Sequence, residues 1–403
     1  MNFLHRSKSQ NFFLILMMGA LNTITPISID MYLPAFPKIA ADMHTSIGNI
    51  ALSVSSYFLG FALGQILYGP LLDRYGRKKP LCVGLIFYIM ATMGCAVSDS
   101  IEWLWVLRFI QALSGCVASV AAMAMVIDFF PADKNARIIS FLILILGVSP
   151  LVAPTAGSLI VSAWNWRAVF IVLAVIALII LIVVFIFLPE AHLPDLTVSL
   201  MPNPIITGFK NILLNRQFYV YALSGTFSFA GLFVYVAGSP GLFLGEFHQS
   251  PTAYGGIFAA LSVGFIGSSQ LNHIFTRKYR NEEIFTFVLI VQLVCGIIFL
   301  IASWNNWLGI TATFCFLFVE LSCAGLTYPN AAALALSSFK KNAGSASALL
   351  GFIQIGIGGL ISAGLGALPV RISLSVALIM ATSSAIAFVV LMMRKNPELK
   401  FYN

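Results

Sequence analysis

Residues 69–79 read Gly69-Pro-Leu-Leu-Asp73-Arg74-Tyr-Gly76-Arg77-Lys78-Lys79, a short basic segment between two long apolar runs. The apolar run before it covers residues 47–70, and the run after it covers residues 80–98. Each has about the ~20 residues that an α-helix needs to cross the hydrocarbon core of a bilayer. The segment therefore predicts a tight connection between two membrane-spanning helices, in which Gly76 permits the sharp reversal of the chain.

The composition of the whole chain agrees with this interpretation. Of 403 residues, 60% are hydrophobic and only 9% are charged, whereas a soluble domain is about 25% charged. So few polar side chains are not enough to cover the water-exposed surface of a soluble protein, and this class is therefore excluded. The net charge of +8 is spread too thinly for the basic face that binds nucleic acid. We expect an integral membrane protein whose partner is the lipid bilayer, with no nucleic-acid partner.

Apolar runs of similar length recur along the chain without the strict alternation of a β-barrel strand. They predict an all-α integral membrane protein with twelve transmembrane helices, at residues 10–33, 47–70, 80–98, 103–127, 138–161, 168–188, 217–239, 252–275, 284–303, 307–334, 343–367 and 372–393.

The distribution of charge predicts the orientation of these spans. With the N-terminus inside, eighteen of the 22 Lys and Arg residues fall in cytoplasmic segments, as the positive-inside rule requires. No signal peptide is recognised at the N-terminus. We therefore expect a multi-pass protein of the inner (cytoplasmic) membrane with both termini in the cytoplasm.

The longest loop divides the spans into two sets of six. We expect an N-terminal six-helix bundle at residues 1–188, a cytoplasmic linker at 189–216, and a C-terminal six-helix bundle with a short cytoplasmic tail at 217–403. Two such bundles of nearly equal length are typical of parallel repeats in transporters. A monomer is sufficient for this architecture.

Patterns typical of cofactor chemistry are absent from the sequence. The six cysteines form no Cys-x-x-Cys pair, and the chain has no Gly-x-x-x-x-Gly-Lys-Ser/Thr motif. We expect no metal, no nucleotide and no other cofactor, so the proton gradient is the expected source of energy. A membrane enzyme or receptor is the alternative class, and it needs a catalytic cluster or a large extramembrane domain that the sequence does not offer.

The segment at residues 69–79 resembles the Gly-x-Leu-x-Asp-Arg-x-Gly-Arg-Lys-Lys loop of the major facilitator superfamily. The resemblance implies a cytoplasmic gate that links the two halves in the outward-open state. It assigns Asp73 to the start of span eleven and the arginines to Asp128 at the end of span four. The gate residues are then Gly69, Asp73, Arg74, Gly76, Arg77 and Asp128. Alternatively, the basic cluster only marks the cytoplasmic side.

Span four carries Arg108, Gln111 and Gly115 on one helix face, because they are spaced by three and four residues. An Arg within a bilayer is costly and needs a polar interior and a partner. The run is similar to the Arg-x-x-Gln-Gly signature of proton-driven members of the superfamily, which implies that Arg108 tunes a proton-carrying acid. The alternative is a structural Arg that binds helix carbonyl groups.

Span five carries Gly147, Pro150, Pro154 and Gly157 on one stripe. Small residues allow close helix contact and prolines bend the helix. The stripe resembles the antiporter signature of exporters in the superfamily, and it therefore favours export. A simple packing seam is the alternative.

Two acids lie inside apolar spans and are functional candidates for that reason. Asp30 in span one is the expected carrier of the coupled proton, with Arg108 as its stabilising partner. The alternative places Asp30 at the outer rim in water. Glu320 in span ten is a second intramembrane acid, which either binds a proton or cation or pairs with a neighbour in the bundle.

The run Asp30-Met-Tyr-Leu-Pro-Ala-Phe-Pro37 resembles span one of the bicyclomycin- and chloramphenicol-resistance branch of the superfamily. The resemblance implies proton-coupled efflux of small amphipathic compounds or drugs by alternating access. Export of an endogenous metabolite, such as a siderophore, a purine or an amino acid, by the same mechanism is the alternative. Candidate residues of the substrate cavity are Asn22, Gln111, Tyr235, Phe258 and Gln354.

Overall fold

The computed structural model describes residues 8–130, 132–190, 194–195, 209–339, 343–368 and 370–394. Within these ranges the chain folds into twelve long helices: α1 Lys8–Asp30, α2 Ile47–Tyr75, α3 Lys78–Ala96, α4 Ile101–Phe129, α5 Ala132–Ala163, α6 Trp166–Phe187, α7 Arg216–Ser239, α8 Pro251–Phe275, α9 Asn281–Trp304, α10 Ile310–Leu336, α11 Ala343–Ala367 and α12 Ile372–Met392. Eleven of them are long and apolar enough to cross a membrane, and α5 contributes a shorter described apolar stretch, Val148–Ala163. The prediction of an all-α protein with twelve membrane helices is confirmed.

The ends of α1 and α2 differ from their apolar runs. The helix α1 ends at Asp30 and is followed by a 3-10 turn, Leu33–Ala35, and a short helix, Phe36–Asp42. Proline has no backbone N–H to donate, and the prolines at 34 and 37 therefore interrupt the α-helical pattern. At the other end of the bundle α2 continues to Tyr75, five residues past its apolar run, and its last turn contains Asp73, which binds Arg77.

The helix contacts repeat with a shift of six. In the first half α1 packs on α5, α2 on α4 and α3 on α6, and in the second half α7 packs on α11, α8 on α10 and α9 on α12. The contacts between the halves obey the same relation, since α2 packs on α11 and α8 packs on α5. The fold is thus two pseudo-symmetric six-helix bundles. Most of the segment expected to be a linker, residues 189–216, lies outside the described residues.

The two halves are closest at one end. We call the end that carries the α2–α3 and α6–α7 connections the linker end, and the opposite end the far end. A Cβ on Gly359 would lie 2.8 Å from the side chain of Phe58, whereas a Cβ on Gly351, nearer the linker end, would lie 3.8 Å from Gln65. A Cβ on Gly69 would have no neighbour within 4 Å. The halves therefore separate toward the linker end.

Candidate functional site

The gate segment is held by Arg77. Its Nε donates to Asp128 Oδ2 and its Nη1 to Asp73 Oδ1, both at 2.7 Å, so the connection between α2 and α3 is tied to the end of α4. Gly76 has φ of +81°, a value that favours glycine. Burial lowers the pKa of Arg77, but the carboxylates of Asp128 and Asp73 outweigh this effect and leave its pKa above the ordinary value. The contact between the arginine and Asp128 is therefore present in the fold.

The other two expected gate contacts are less direct. Half of the Asp73 side chain is exposed, and its carboxylate binds Arg77. Residues 340–342, which precede the start of α11, lie outside the described residues, and the contact assigned there to Asp73 falls among them. The guanidinium of Arg74 lies 5.8 Å from the ring centre of Tyr75. A Cβ built on Gly69 would have no neighbouring atom within 4 Å.

Glu190 binds the gate segment, a contact that sequence reasoning missed. Its carboxylate accepts the backbone N–H of Arg77 at 2.7 Å and that of Lys78 at 3.2 Å, and so caps the start of α3. A second residue after α6, Asp195, donates its backbone N–H to the carbonyl oxygen of Asp73 at 3.3 Å. The signal in the sequence was an acid placed directly after Pro189, where α6 ends.

Arg108 is fully buried and is enclosed mainly by aromatic rings. Its guanidinium carbon lies 4.3 Å from the ring centre of Tyr57 and 4.7 Å from that of Tyr32, distances at which a cation is attracted to the ring face. Its Nη1 donates to the carbonyl oxygen of Ser28 at 3.1 Å and to Gln111 Oε1 at 2.6 Å. Gln111 in turn donates to Thr92 Oγ1 at 2.7 Å.

The expected pairing of Arg108 with Asp30 is not a direct ion pair in this conformation. Among the described residues, Nε and Nη2 of Arg108 have no hydrogen-bond partner, and no carboxylate lies within salt-bridge distance of it. Arg108 instead binds the last turn of α1, because Ser28 lies two residues before Asp30. The alternative interpretation, a structural arginine that binds a helix carbonyl group, therefore describes one of the contacts of Arg108.

Asp30 ends α1 and lines a cavity of about 170 Å³ between the halves. Its side chain is 5% exposed, so it does not lie in water at a rim. The cavity wall is almost entirely apolar and comes from both halves: Pro26, Ile29, Asp30, Phe58, Pro150, Leu232, Phe233, Tyr235, Val236, Phe258, Ser262, Phe265 and Leu321. Asp30 is the only charged residue among these described lining residues.

The structure divides the candidate cavity residues into two groups. Tyr235 and Phe258 line the cavity and stack on each other with ring centres 5.1 Å apart. Gln111 belongs to the Arg108 network instead. Asn22 and Gln354 are buried outside the lining, and each has an amide nitrogen without a hydrogen-bond partner among the described residues.

The stripe on α5 lies between α1 and the second half. Pro150 lines the cavity, and Pro154 is buried. Gly157 lies directly against the backbone of Met31, where a Cβ would collide with the carbonyl oxygen. Gly147 is part of α5, but its surroundings lie outside the described side chains.

Comparison with known proteins identifies the fold. The model of the family "Major Facilitator Superfamily" matches residues 18–363. The chain belongs to this superfamily. Among solved structures of similar shape are a D-xylose–proton symporter, at a TM-score of 0.70 and 14% identity over 94% of this chain and 97% of that one, and a bacterial homologue of the human lysosomal transporter Spinster in an inward-facing, unoccupied conformation, at a TM-score of 0.69 and 15% identity over 96% of each chain.

Curated relatives place the chain within the superfamily. It is 29% identical to a bicyclomycin resistance protein homologue of Haemophilus influenzae, over 87% of this chain and 88% of the relative. It is 27% identical to multidrug resistance protein D of Escherichia coli (88% and 89%) and 25% identical to a chloramphenicol resistance protein of Pseudomonas aeruginosa (89% and 84%). The resemblance to the bicyclomycin- and chloramphenicol-resistance branch is thus confirmed, and the chain is a multi-pass transporter of that kind.

Glu320 lies outside this cavity. It is 2% exposed and points from α10 toward α9, where a Cβ on Gly296 would lie 3.2 Å from its Oε1. Neither carboxyl oxygen has a hydrogen-bond partner among the described residues, although the Gln292 amide and the Cys295 thiol lie beside the carboxyl.

Proposed function

We propose that this protein exports small amphipathic compounds across the bacterial inner membrane in exchange for protons, by alternating access of one central cavity. The observation that carries the proposal is the position of Asp30, a single acid in an otherwise apolar cavity between two symmetry-related bundles. Relatives named for drug resistance support the substrate class. The protein works as a monomer without a bound cofactor, and the proton gradient supplies the energy.

The linker end faces the cytoplasm in this proposal. It carries the basic gate segment, the start of α1 and the end of α12, as the positive-inside rule favours. The halves separate toward that end, while Ser55 and Ser362 share a hydrogen bond of 2.8 Å between α2 and α11. On this orientation the conformation is cytoplasm-facing, with the far end closed.

Asp30 binds a proton and the substrate in turn. An ionised carboxylate in an apolar cavity is unfavourable without a cation or hydrogen-bond donors. In the cytoplasm-facing conformation a cationic substrate supplies that charge and displaces the proton. When the cavity opens to the outside, a proton from the medium neutralises Asp30 and releases the substrate. A neutral substrate is coupled only through the change in conformation.

Arg108 acts as a positioning residue for Asp30. Its bond to the Ser28 carbonyl fixes the last turn of α1, and the rings of Tyr32 and Tyr57 hold its charge in place. Two of its nitrogens have no partner among the described residues. They are available to an ionised Asp30 once a rearrangement of α1 brings the two groups together.

The cavity lining indicates what kind of molecule binds. Phe58 and Phe233 meet edge to face across the two halves at 4.7 Å, and Tyr235 and Phe258 form a stacked pair. Aromatic rings bind apolar and cationic groups without strict hydrogen-bond geometry. The cavity of about 170 Å³ is smaller than the ~300–1,000 Å³ of ligand pockets, so it must widen when a drug-sized molecule binds.

The test uses purified protein reconstituted into liposomes with ethidium as the probe cation. Under an imposed pH gradient we expect wild-type protein to transport ethidium, and Asp30→Asn to lose transport at least tenfold. Without a gradient, ethidium should release protons from wild-type protein and not from Asp30→Asn. Glu102→Gln, an exposed acid at the start of α4, is the matched control. Equal proton release from wild type and Asp30→Asn would overturn the assignment of Asp30 as the proton carrier. Failure of cells that contain the protein to export ethidium would favour a narrower, endogenous substrate.

A further inference from the structure

Glu320 is enclosed where three helices of the second half meet. Its carboxyl belongs to α10, and a Cβ on Gly296 of α9 would lie 3.2 Å both from Glu320 Oε1 and from the Cα of Ala381 in α12. The side chain is 2% exposed, and both oxygens lack a hydrogen-bond partner among the described residues. This carboxyl is separate from the central cavity and has no part in the cycle described for Asp30.

The surroundings of Glu320 contain no compensating cation. The titratable groups that face it are two thiols, Cys295 on α9 and Cys323 on its own helix. Among the described residues, no Lys or Arg lies within ion-pair distance of its carboxyl. A bare carboxylate in such a place is strongly disfavoured, so the stable form is the neutral acid with its proton.

The amide of Gln292 lies between Glu320 and Ser228 of α7. It borders the Glu320 carboxyl on one side. On the other side its Oε1 accepts the hydroxyl of Ser228 in α7 at 2.6 Å, and its Nε2 donates to the carbonyl oxygen of Ser228 at 3.0 Å. The Ser228 hydroxyl also shares a hydrogen bond of 2.7 Å with Thr327 of α10. Gln292 therefore joins α9 to α7 through one residue.

We propose that Glu320 is a second proton-binding site and that its protonation state determines which group the Gln292 amide binds. With the proton bound, the carboxyl is neutral and Gln292 stays on Ser228, as observed. When the O–H bond breaks and the proton passes to water, the carboxylate becomes the strongest acceptor within reach of the amide, because hydrogen bonds to ionised groups are the stronger ones. Gln292 then turns its N–H groups to Glu320 and releases Ser228.

This exchange reaches the cavity through α7. Phe229 follows Ser228 directly, and Phe233, one turn further along the same helix, lines the cavity and meets Phe58 of the other half. Release of Ser228 loosens the segment of α7 that carries these rings. The inference rests on the proposed function only because it treats the cavity lined by these rings as the substrate cavity. Proton binding at Glu320 itself is measurable without transport.

Infrared spectroscopy of the full-length protein in lipid nanodiscs tests the proton. At neutral pH we expect Asp30→Asn to retain the carbonyl band of a protonated carboxyl in an apolar site, because Glu320 remains, and the double variant Asp30→Asn/Glu320→Gln to lose it. Persistence of the band in the double variant would overturn the proposal. Because both arms carry Asp30→Asn, failure of the Glu320 assignment is separate from failure of the Asp30 assignment.

Hydrogen exchange of the α7 peptide that contains Ser228 tests the coupling. After correction for the intrinsic effect of pH, we expect exchange in wild type to rise between mildly acidic and alkaline pH. Glu320→Gln should lose this pH dependence, and Gln292→Leu should show fast exchange throughout. Gln270→Leu, an exposed glutamine on α8, is the matched control and should behave as wild type. A pH dependence that survives in Glu320→Gln would contradict the switch.

Discussion

Gly157 of α5 packs directly against the carbonyl oxygen of Met31, the residue that follows Asp30. The contact leaves no room for a Cβ, so the only side chain compatible with this approach is a hydrogen atom. The antiporter-like stripe on α5 therefore has a specific consequence in this fold. Through Gly157 it fixes the position of the end of α1 and so of the Asp30 carboxyl.

We expect Gly157→Ala to displace the end of α1 and reduce transport severely, because the obstructing atom belongs to the backbone and does not move as a flexible side chain would. The measurement is transport of ethidium by reconstituted protein together with thermal stability in detergent. Gly256→Ala on α8, where a Cβ would meet nothing within 4 Å, is the control and should be neutral or slightly stabilising. Equal behaviour of the two variants would contradict this role of Gly157.

The two carboxylates that bind Arg77 should contribute unequally to the free energy of unfolding. The Asp128 side chain is 15% exposed and that of Asp73 is 51% exposed. Removing one partner of a buried ion pair costs roughly 3–5 kcal/mol, whereas exposed ion pairs contribute about 0.2–1 kcal/mol. We expect Asp128→Asn to lower the free energy of unfolding more than Asp73→Asn, as measured by denaturant titration.

For Asp73→Asn we expect substrate binding close to wild type and slower turnover, because Asp73 belongs to the gate and lies far from the cavity. Binding of ethidium by fluorescence and transport in liposomes separate the two effects. Normal turnover in Asp73→Asn would mean that the basic segment only marks the cytoplasmic side.

Glu190 should affect transport through the gate segment. A negative charge at a helix N-terminus contributes about 0.3–1 kcal/mol, so Glu190→Gln should lower the thermal midpoint only slightly. We expect it to slow turnover as well, because the cap fixes the loop that carries Arg77. Glu102→Gln removes an acid from the first turn of α4 and is the control for the electrostatic effect alone. A transport rate equal in the two variants would argue against a gating role for Glu190.

The ring pair Phe58–Phe233 should be energetically coupled, since its edge-to-face geometry joins the two halves. Such pairs contribute about 0.5–1.5 kcal/mol beyond their buried area. We expect a double-mutant cycle with Phe58→Ala and Phe233→Ala to show non-additive losses in the affinity for ethidium. Strictly additive losses would mean that the substrate contacts the rings independently.

Hydropathy was sufficient to predict the twelve helices, because the bilayer imposes one length and one polarity on every span. It was not sufficient to place the end of α1. There the structure ends the helix at Asp30, where prolines at 34 and 37 outweigh the continuing apolar sequence. Asp30 therefore ends the regular α-helix inside an apolar span that continues to Asp42.

The partners of charged residues were harder to predict than their presence. Arg108 was recognised as a buried cation, but its surroundings are the rings of Tyr32, just after α1, and of Tyr57 in α2, which no spacing rule connects to it. Tyr235 and Phe258 line the cavity between the halves, while Asn22 and Gln354, the other candidates for the substrate cavity outside the Arg108 network, are buried outside its lining. Which face of a helix meets the cavity depends on packing between distant segments, and one sequence does not reveal it.

The cap on α3 also has a consequence for the order in which the protein assembles during synthesis. Glu190 is separated by 113 residues from the Arg77 amide that it binds, and domains fold in order as the chain emerges from the ribosome. The α2–α3 connection can therefore reach its final form only after α6 has been inserted. Until then the nascent first half carries an incomplete loop, and a ribosome that stalls before residue 190 should leave a product open to proteolysis at that connection.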